Sequence, residues 1–163
     1  MRRGVRLGVD VGSVRVGLAV CDPEGLIASP VATLPRDERT QADLVRIAEE
    51  VTGRGVVEVV VGLPRSLDGS EGAAAEAARG YAVRLAGRVA PVPVRLVDER
   101  LSTVGAHRAL HDAGVRGRKH RRVVDQVAAV LILQTALDAE RASGHPPGSL
   151  VDPVQGAQEG RRE

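Results

Sequence analysis

A single α/β domain built on one mixed sheet covered by helices is the fold class this sequence predicts, and three observations predict it. The chain has 163 residues, 43% of them hydrophobic, enough for one unaided core. Its first quarter is rich in β-branched residues between tight turns. Beyond it, helical spacing and short apolar runs take turns, giving the order β-β-β-α-β-α-β-α-α.

The elements follow in order. Val5 to Val9 and Val14 to Cys21 are extended runs separated by Gly12-Ser13, a strand–turn–strand pattern. Asp22-Pro23-Glu24-Gly25 is a second turn and Leu26 to Leu34 a third extended run, so the three strands form an antiparallel meander. Between Thr40 and Thr52, Ala42, Leu44, Val45, Ile47, Ala48 and Val51 fall at helical spacing, and Gly53 and Gly55 end the helix. Val56 to Val61 reads as a central strand buried on both faces. Ser70 is placed to cap an Ala-rich helix running to about Arg88. Pro93 to Val97 is another buried strand, followed by helices over Ser102 to Ala113 and Val124 to Ala142. The domain is expected over residues 1–142, a five-stranded sheet with three antiparallel then two parallel strands. The Gly-, Pro- and charge-rich stretch 143–163 reads as a loose tail.

Composition excludes several function classes. With Cys21 as the sole cysteine there is no disulfide scaffold; the thiol is either buried in the second strand or a bridge between subunits. Phe and Trp are absent and Tyr81 is the one aromatic, so a platform that stacks unpaired bases is excluded. Arg2 and Arg3 are not followed by an apolar leader, and the run Val127 to Leu133 is too short to span a bilayer. A cytoplasmic protein is expected.

The formal net charge is +2, yet Arg116, Arg118, Lys119, Arg121 and Arg122 crowd into seven positions around His120; without them the chain would stand at −3. Attraction to a polyanion is therefore local to this segment. A solvated loop is its bland reading, a phosphate contact its functional one.

Four segments carry residues suited to chemistry. Asp10-Val-Gly12-Ser puts an acid at a strand end before a glycine turn, where a phosphate or metal can approach the backbone. Gly62-Leu-Pro64-Arg65-Ser-Leu-Asp68-Gly-Ser70-Glu71-Gly72 is turn-rich and sits at the C-terminal edge of a buried strand, where α/β sheets bind ligands. Asp98-Glu99-Arg100 ends another strand, and alternation sends only one of the two acids to any one site. Asp125 falls in the first turn expected for an apolar helix, where the helix dipole alone would favour it. If Asp10, Glu99 and Asp125 share an edge, their mutual repulsion calls for a cation, and all-oxygen donors select Mg²⁺ or Mn²⁺. His107 and His111 lie one helical turn apart, a spacing open to either a metal pair or a solvated face.

Taken together, Asp10-Val-Gly-Ser-Val-Arg15-Val-Gly17, Val61-Gly-Leu-Pro64 with Asp68-Gly-Ser-Glu71, Asp98-Glu-Arg-Leu-Ser-Thr103, and Val124-Asp125 with Ala128-Ala129 resemble the bacterial YqgF/RuvX family over residues 5 to 140. The resemblance implies a ribonuclease H-like fold and nuclease activity. Members of the family are described as Holliday-junction resolvases and as nucleases that mature the 5′ end of pre-16S rRNA. It also implies that Asp10, Glu99 and Asp125 are the catalytic, metal-holding acids. They would hold two Mg²⁺ or Mn²⁺ ions roughly 3.5–4 Å apart at a phosphodiester, with Asp10 bridging. Arg15, Arg100, Arg116, Arg118, Lys119, Arg121 and Arg122 are the candidates for nucleic-acid contact. One departure is Gly105, where the family pattern has an acid that would close a capping box with Ser102; it bears on a helix start and not on the chemistry. The expected partner is structured nucleic acid, pre-rRNA or branched DNA, and no membrane, with the protein a monomer or homodimer. Two rivals stay open: an ATP-binding protein with an actin-like phosphate loop, and a non-catalytic rRNA-binding factor.

Overall fold

The computed structural model describes residues 1–66, 68–99 and 118–153, with residues 118–125 described in backbone alone. Its sheet contains β1 (Arg6–Val11), β2 (Arg15–Cys21), β3 (Ala28–Pro35), β4 (Glu58–Leu63), β5 (Val94–Asp98) and β6 (Ser149–Leu150). The helices described are α1 (Ala42–Arg54), α2 (Ala73–Val89) and α3 (Arg118–Ser143). The expected helix over Ser102 to Ala113 lies outside the described residues.

Spatial order is β3-β2-β1-β4-β5-β6. As expected, β1, β2 and β3 form an antiparallel meander, while β4 runs parallel to β1 and β5 parallel to β4. Two findings differ in detail. A sixth strand at Ser149–Leu150 pairs antiparallel with β5, inside the stretch read as a loose tail; Val151 N–H donates to the Val94 carbonyl and anchors it. Ser70 does not cap α2, which begins after Gly72. Its amide instead donates to the Asp68 carboxylate at 2.9 Å, an Asx turn that competes with helix entry.

Strand alternation divides the core in two. On one face Leu7, Val9, Val16, Leu18, Val59, Val61, Val94 and Leu96 pack on α1 and α2, and the lone aromatic, Tyr81, is buried there. On the other face Ala19, Cys21, Val60 and Val97 meet Ala129, Ile132, Leu133 and Ala136 of α3. Small side chains such as Ala19, Cys21, Ala129 and Ala136 are frequent in this second layer. A Cβ on Gly8 would lie 2.7 Å from Leu133 Cβ and 3.0 Å from the Ala129 carbonyl, so only glycine lets the helix backbone come this close. Cys21 is buried, and its sulfur accepts the Arg6 N–H at 3.2 Å, the intrachain alternative of the two foreseen for it.

An ion network closes the far end of the α3 face. Arg6 is 1% exposed beside Glu140 and Glu58, themselves buried. Arg2 donates to Glu140 at 2.8 Å and to Glu58 at 3.1 Å, and Arg95 donates to Glu58 at 3.0 Å. Arg6 lies 3.6 Å from Glu140. Burial opposes ionisation of Glu140, but the Arg2 hydrogen bonds and charge, with Arg6, outweigh it and hold its carboxyl below the ordinary value of 4.5. A depressed carboxyl contributes stability above its unfolded value that is lost as pH falls through the folded one. Glu140→Gln is therefore expected to cost about 3 kcal/mol at pH 7, in urea unfolding. The gap between the two proteins should close as pH drops below 4.5.

Candidate active site

Asp10 ends β1, which lies between β2 and β4. Backbone pairing to Gly17 on one side and the neighbouring Val9–Val61 pairing on the other hold it. Asp10 is two residues past Gly8, so it shares the α3 face. It is 1% exposed, and Glu99, immediately after β5, is 7% exposed. Between them in the sheet lies Gly62 of β4, paired with Val97.

Gly62 brings Glu99 inward. A Cβ there would lie 2.8 Å from Glu99 Oε1, 3.2 Å from its Cγ and 2.6 Å from Ile132 Cδ1. The Glu99 side chain thus folds back over the bare backbone of β4 under α3, towards the strand that bears Asp10. Asp98 takes the opposite face, 3.8 Å from Arg65, which also lies 3.6 Å from Glu71. One acid of the Asp98-Glu99 pair reaches the α3 face, as alternation requires.

The position of Asp125 differs from expectation. The helix starts at Arg118, so residue 125 lies about two turns inside it and end stabilisation by the dipole does not apply. The reason is that Arg118 to Val124 contains good helix formers and no glycine or proline. For the same reason Arg118, Lys119, Arg121 and Arg122 form helical turns rather than the loop expected of them. Because Arg6 meets Glu140 while Gly8 meets Leu133 and Ala129, α3 runs antiparallel to β1, and its N-terminal half lies toward the Asp10 end. The Asp125 side chain is outside the description, as are Arg100, Arg116 and the His107–His111 pair. Arg15 opens β2 in line with Gly17 and Ala19, hence on the α3 face at the same edge as Asp10.

Two buried acids on one face, with a glycine on the strand between them, offer the hard oxygen donors that suit Mg²⁺ or Mn²⁺. Among the described residues no group of three His, Cys, Asp or Glu side chains gathers.

The family described as "RuvX: Holliday junction resolvase" matches residues 4–139. The chain belongs to this family. A RuvX relative from Kineococcus radiotolerans, named "Putative pre-16S rRNA nuclease", is 62% identical over 161 residues, covering 99% of this chain and 85% of that protein. A Streptomyces coelicolor protein of the same name is 53% identical, over 94% of this chain and 92% of its own. Among solved structures, Thermus thermophilus RuvC in complex with a Holliday junction substrate superposes with a TM-score of 0.55 at 18% identity, covering 88% of this chain and 99% of that one. That likeness shows the ribonuclease H-like fold of this RuvX chain.

The sequence reading missed Gly62, which it took for part of a turn-rich loop. The signal was available: Val59-Val60-Val61 continues into Gly62-Leu63 without a break, and a glycine inside a strand marks a close approach. Gly62→Ala is expected to destabilise the protein by about 1–3 kcal/mol. Adding Glu99→Ala should recover at least about 0.5 kcal/mol of it, a coupling that a double-mutant cycle in urea measures.

Proposed function

We propose that this RuvX chain is a metal-dependent endonuclease that hydrolyses phosphodiester bonds of structured nucleic acid, and that its substrate is the 5′ end of pre-16S rRNA. The observation that carries this reading is the approach of buried Glu99 across Gly62 toward the strand bearing buried Asp10. The names of the relatives favour rRNA. Asp10, Glu99 and Asp125 would hold the Mg²⁺ or Mn²⁺ ions, two of them in our reading. When bound, such ions supply an activated water and charge stabilisation at the leaving oxygen.

The chain's own residues do the rest. Asp10 is held on a strand paired on both sides, so its carboxylate is presented without a conformational search. At Gly12 a Cβ would lie 2.7 Å from the Arg15 carbonyl, and the bare backbone leaves the rim beside Asp10 open. Arg15 and the basic first turns of α3 neutralise substrate phosphates on either side, with Arg100 and Arg116 as further candidates. Tyr81 is buried, so recognition rests on phosphates and duplex or junction shape rather than on stacked bases. A pre-rRNA substrate would be met in the cytoplasm.

The second reading, a Holliday-junction resolvase, is favoured by the family's description. Two symmetric cuts would call for a homodimer, whereas a single cut in pre-rRNA suits a monomer. Asp10→Asn and Glu99→Gln should each lower cleavage by at least about a hundredfold in Mg²⁺ or Mn²⁺, on both a pre-16S fragment and a four-way junction. The substrate that the wild type cuts faster decides between the readings, and undiminished cleavage by either variant sinks the metal-site assignment. Replacing Arg118, Lys119, Arg121 and Arg122 with Gln should make the log–log salt dependence of binding shallower by roughly 2–4 units of slope. An unchanged slope removes the run from the interface.

A further inference from the structure

Arg36 follows β3 and reaches the β1–β2 turn twice. Its amide donates to the Val14 carbonyl at 2.8 Å, and its Nη1 donates to the Gly12 carbonyl at 3.1 Å. The turn is closed from within by Gly12 N–H on the Arg15 carbonyl at 2.8 Å. It joins Asp10 to Arg15, the two candidate site residues on this hairpin.

The guanidinium is itself held. It lies over the Tyr81 ring, 5.3 Å from the centroid, and its side chain is only 10% exposed. The Tyr81 hydroxyl donates to Asp43 Oδ2 at 2.8 Å, and Asp43 Oδ1 accepts the Asp37 N–H at 3.3 Å. Burial, then the Asp43 carboxylate, keeps the Tyr81 phenol protonated, so it stays a donor across the working pH range. Asp43 belongs to α1 and Tyr81 to α2. Tyr81 is part of the core layer opposite α3, so Arg36 acts from behind the sheet, away from the face where substrate would lie.

We infer that Arg36 is a positioning residue: seated on Tyr81, it clamps the Gly12 carbonyl and sets the turn that spaces Asp10 from Arg15. This rests on the nuclease reading for its consequence, though not for its geometry. A side chain that sets a reacting group without touching substrate lowers kcat and spares KM.

The test uses the full chain. Arg36→Met keeps the aliphatic stem and removes the donors; Arg36→Lys restores one. Arg36→Met should lower kcat about tenfold or more with KM within about twofold, and Arg36→Lys should recover part of the loss. Independently of activity, amide exchange at Gly12 and Arg36 should speed up in Arg36→Met while amides in β4 and α2 stay as protected as in the wild type. Unchanged exchange at those two amides overturns the inference, as does acceleration spread evenly through the fold. So does a rise in KM with kcat held, which would make Arg36 a substrate contact. A wild type that cleaves nothing sinks the nuclease reading alone, and the exchange comparison still judges the clamp.

Discussion

The contact on which this structure depends is the direct seating of α3 on the sheet. Gly8 of β1 lies against Leu133 and the Ala129 carbonyl, and Gly62 of β4 against Ile132. At both points a methyl group would meet an atom closer than packed carbons tolerate. Small residues complete the layer, with Ala19, Cys21, Ala129 and Ala136 among them. Bringing the helix backbone this near leaves no volume for aromatic rings in that layer. It also sets how deeply an acid at the strand ends is covered. Glu99 is buried because it folds over Gly62, in the space a larger residue would fill.

The two sides of the sheet then have different work. The face covered by α1 and α2 holds the larger apolar side chains and the Asp43–Tyr81–Arg36 chain of contacts. The face covered by α3 carries charge at both ends. Its far end is neutralised internally, where Arg2, Arg6 and Arg95 surround Glu58 and Glu140. Breaking such a buried pair costs more than its formation contributes, and Glu140 ties this end of α3 to Arg2 and Arg6. At the near end lie the buried acids Asp10 and Glu99, with Gly62 on the strand between them. The first arrangement is a closed ion cluster; the second is the pair of acids on which the proposed metal site rests.

Most strands and α1 were legible because their periodicity is local: alternation in β1 to β3, unbroken apolar runs in β4 and β5, and a glycine stop after α1 at Gly55, whose φ is +61°. Asp10 and Glu99 were legible as acids at strand ends, whereas Asp125 was expected at a helix start and lies inside α3; that the three act as one site is what the family resemblance implies. What local signals misjudged was competition. Ser70 had cap chemistry, but Asp68 took its amide. The basic run had the charge of a loop, but its arginines and lysine are good helix formers and joined α3. The two-residue strand β6 has no pattern of its own, since an edge strand this short exists only where a partner offers its free edge.

By itself, then, the sequence determined the α/β class, the meander followed by parallel strands, the lack of a base-stacking platform and the residue types from which a nuclease site could be made. Those properties depend on composition and near neighbours in the chain. Only the tertiary structure decided that Glu99 and not Asp98 is covered by α3, that a glycine on the strand between makes room for it, and that Arg36 reaches back to the turn beside Asp10. Each of these joins residues far apart in sequence. They arise from the distance between a helix and a sheet, which no local pattern encodes and which packing sets for the whole layer at once.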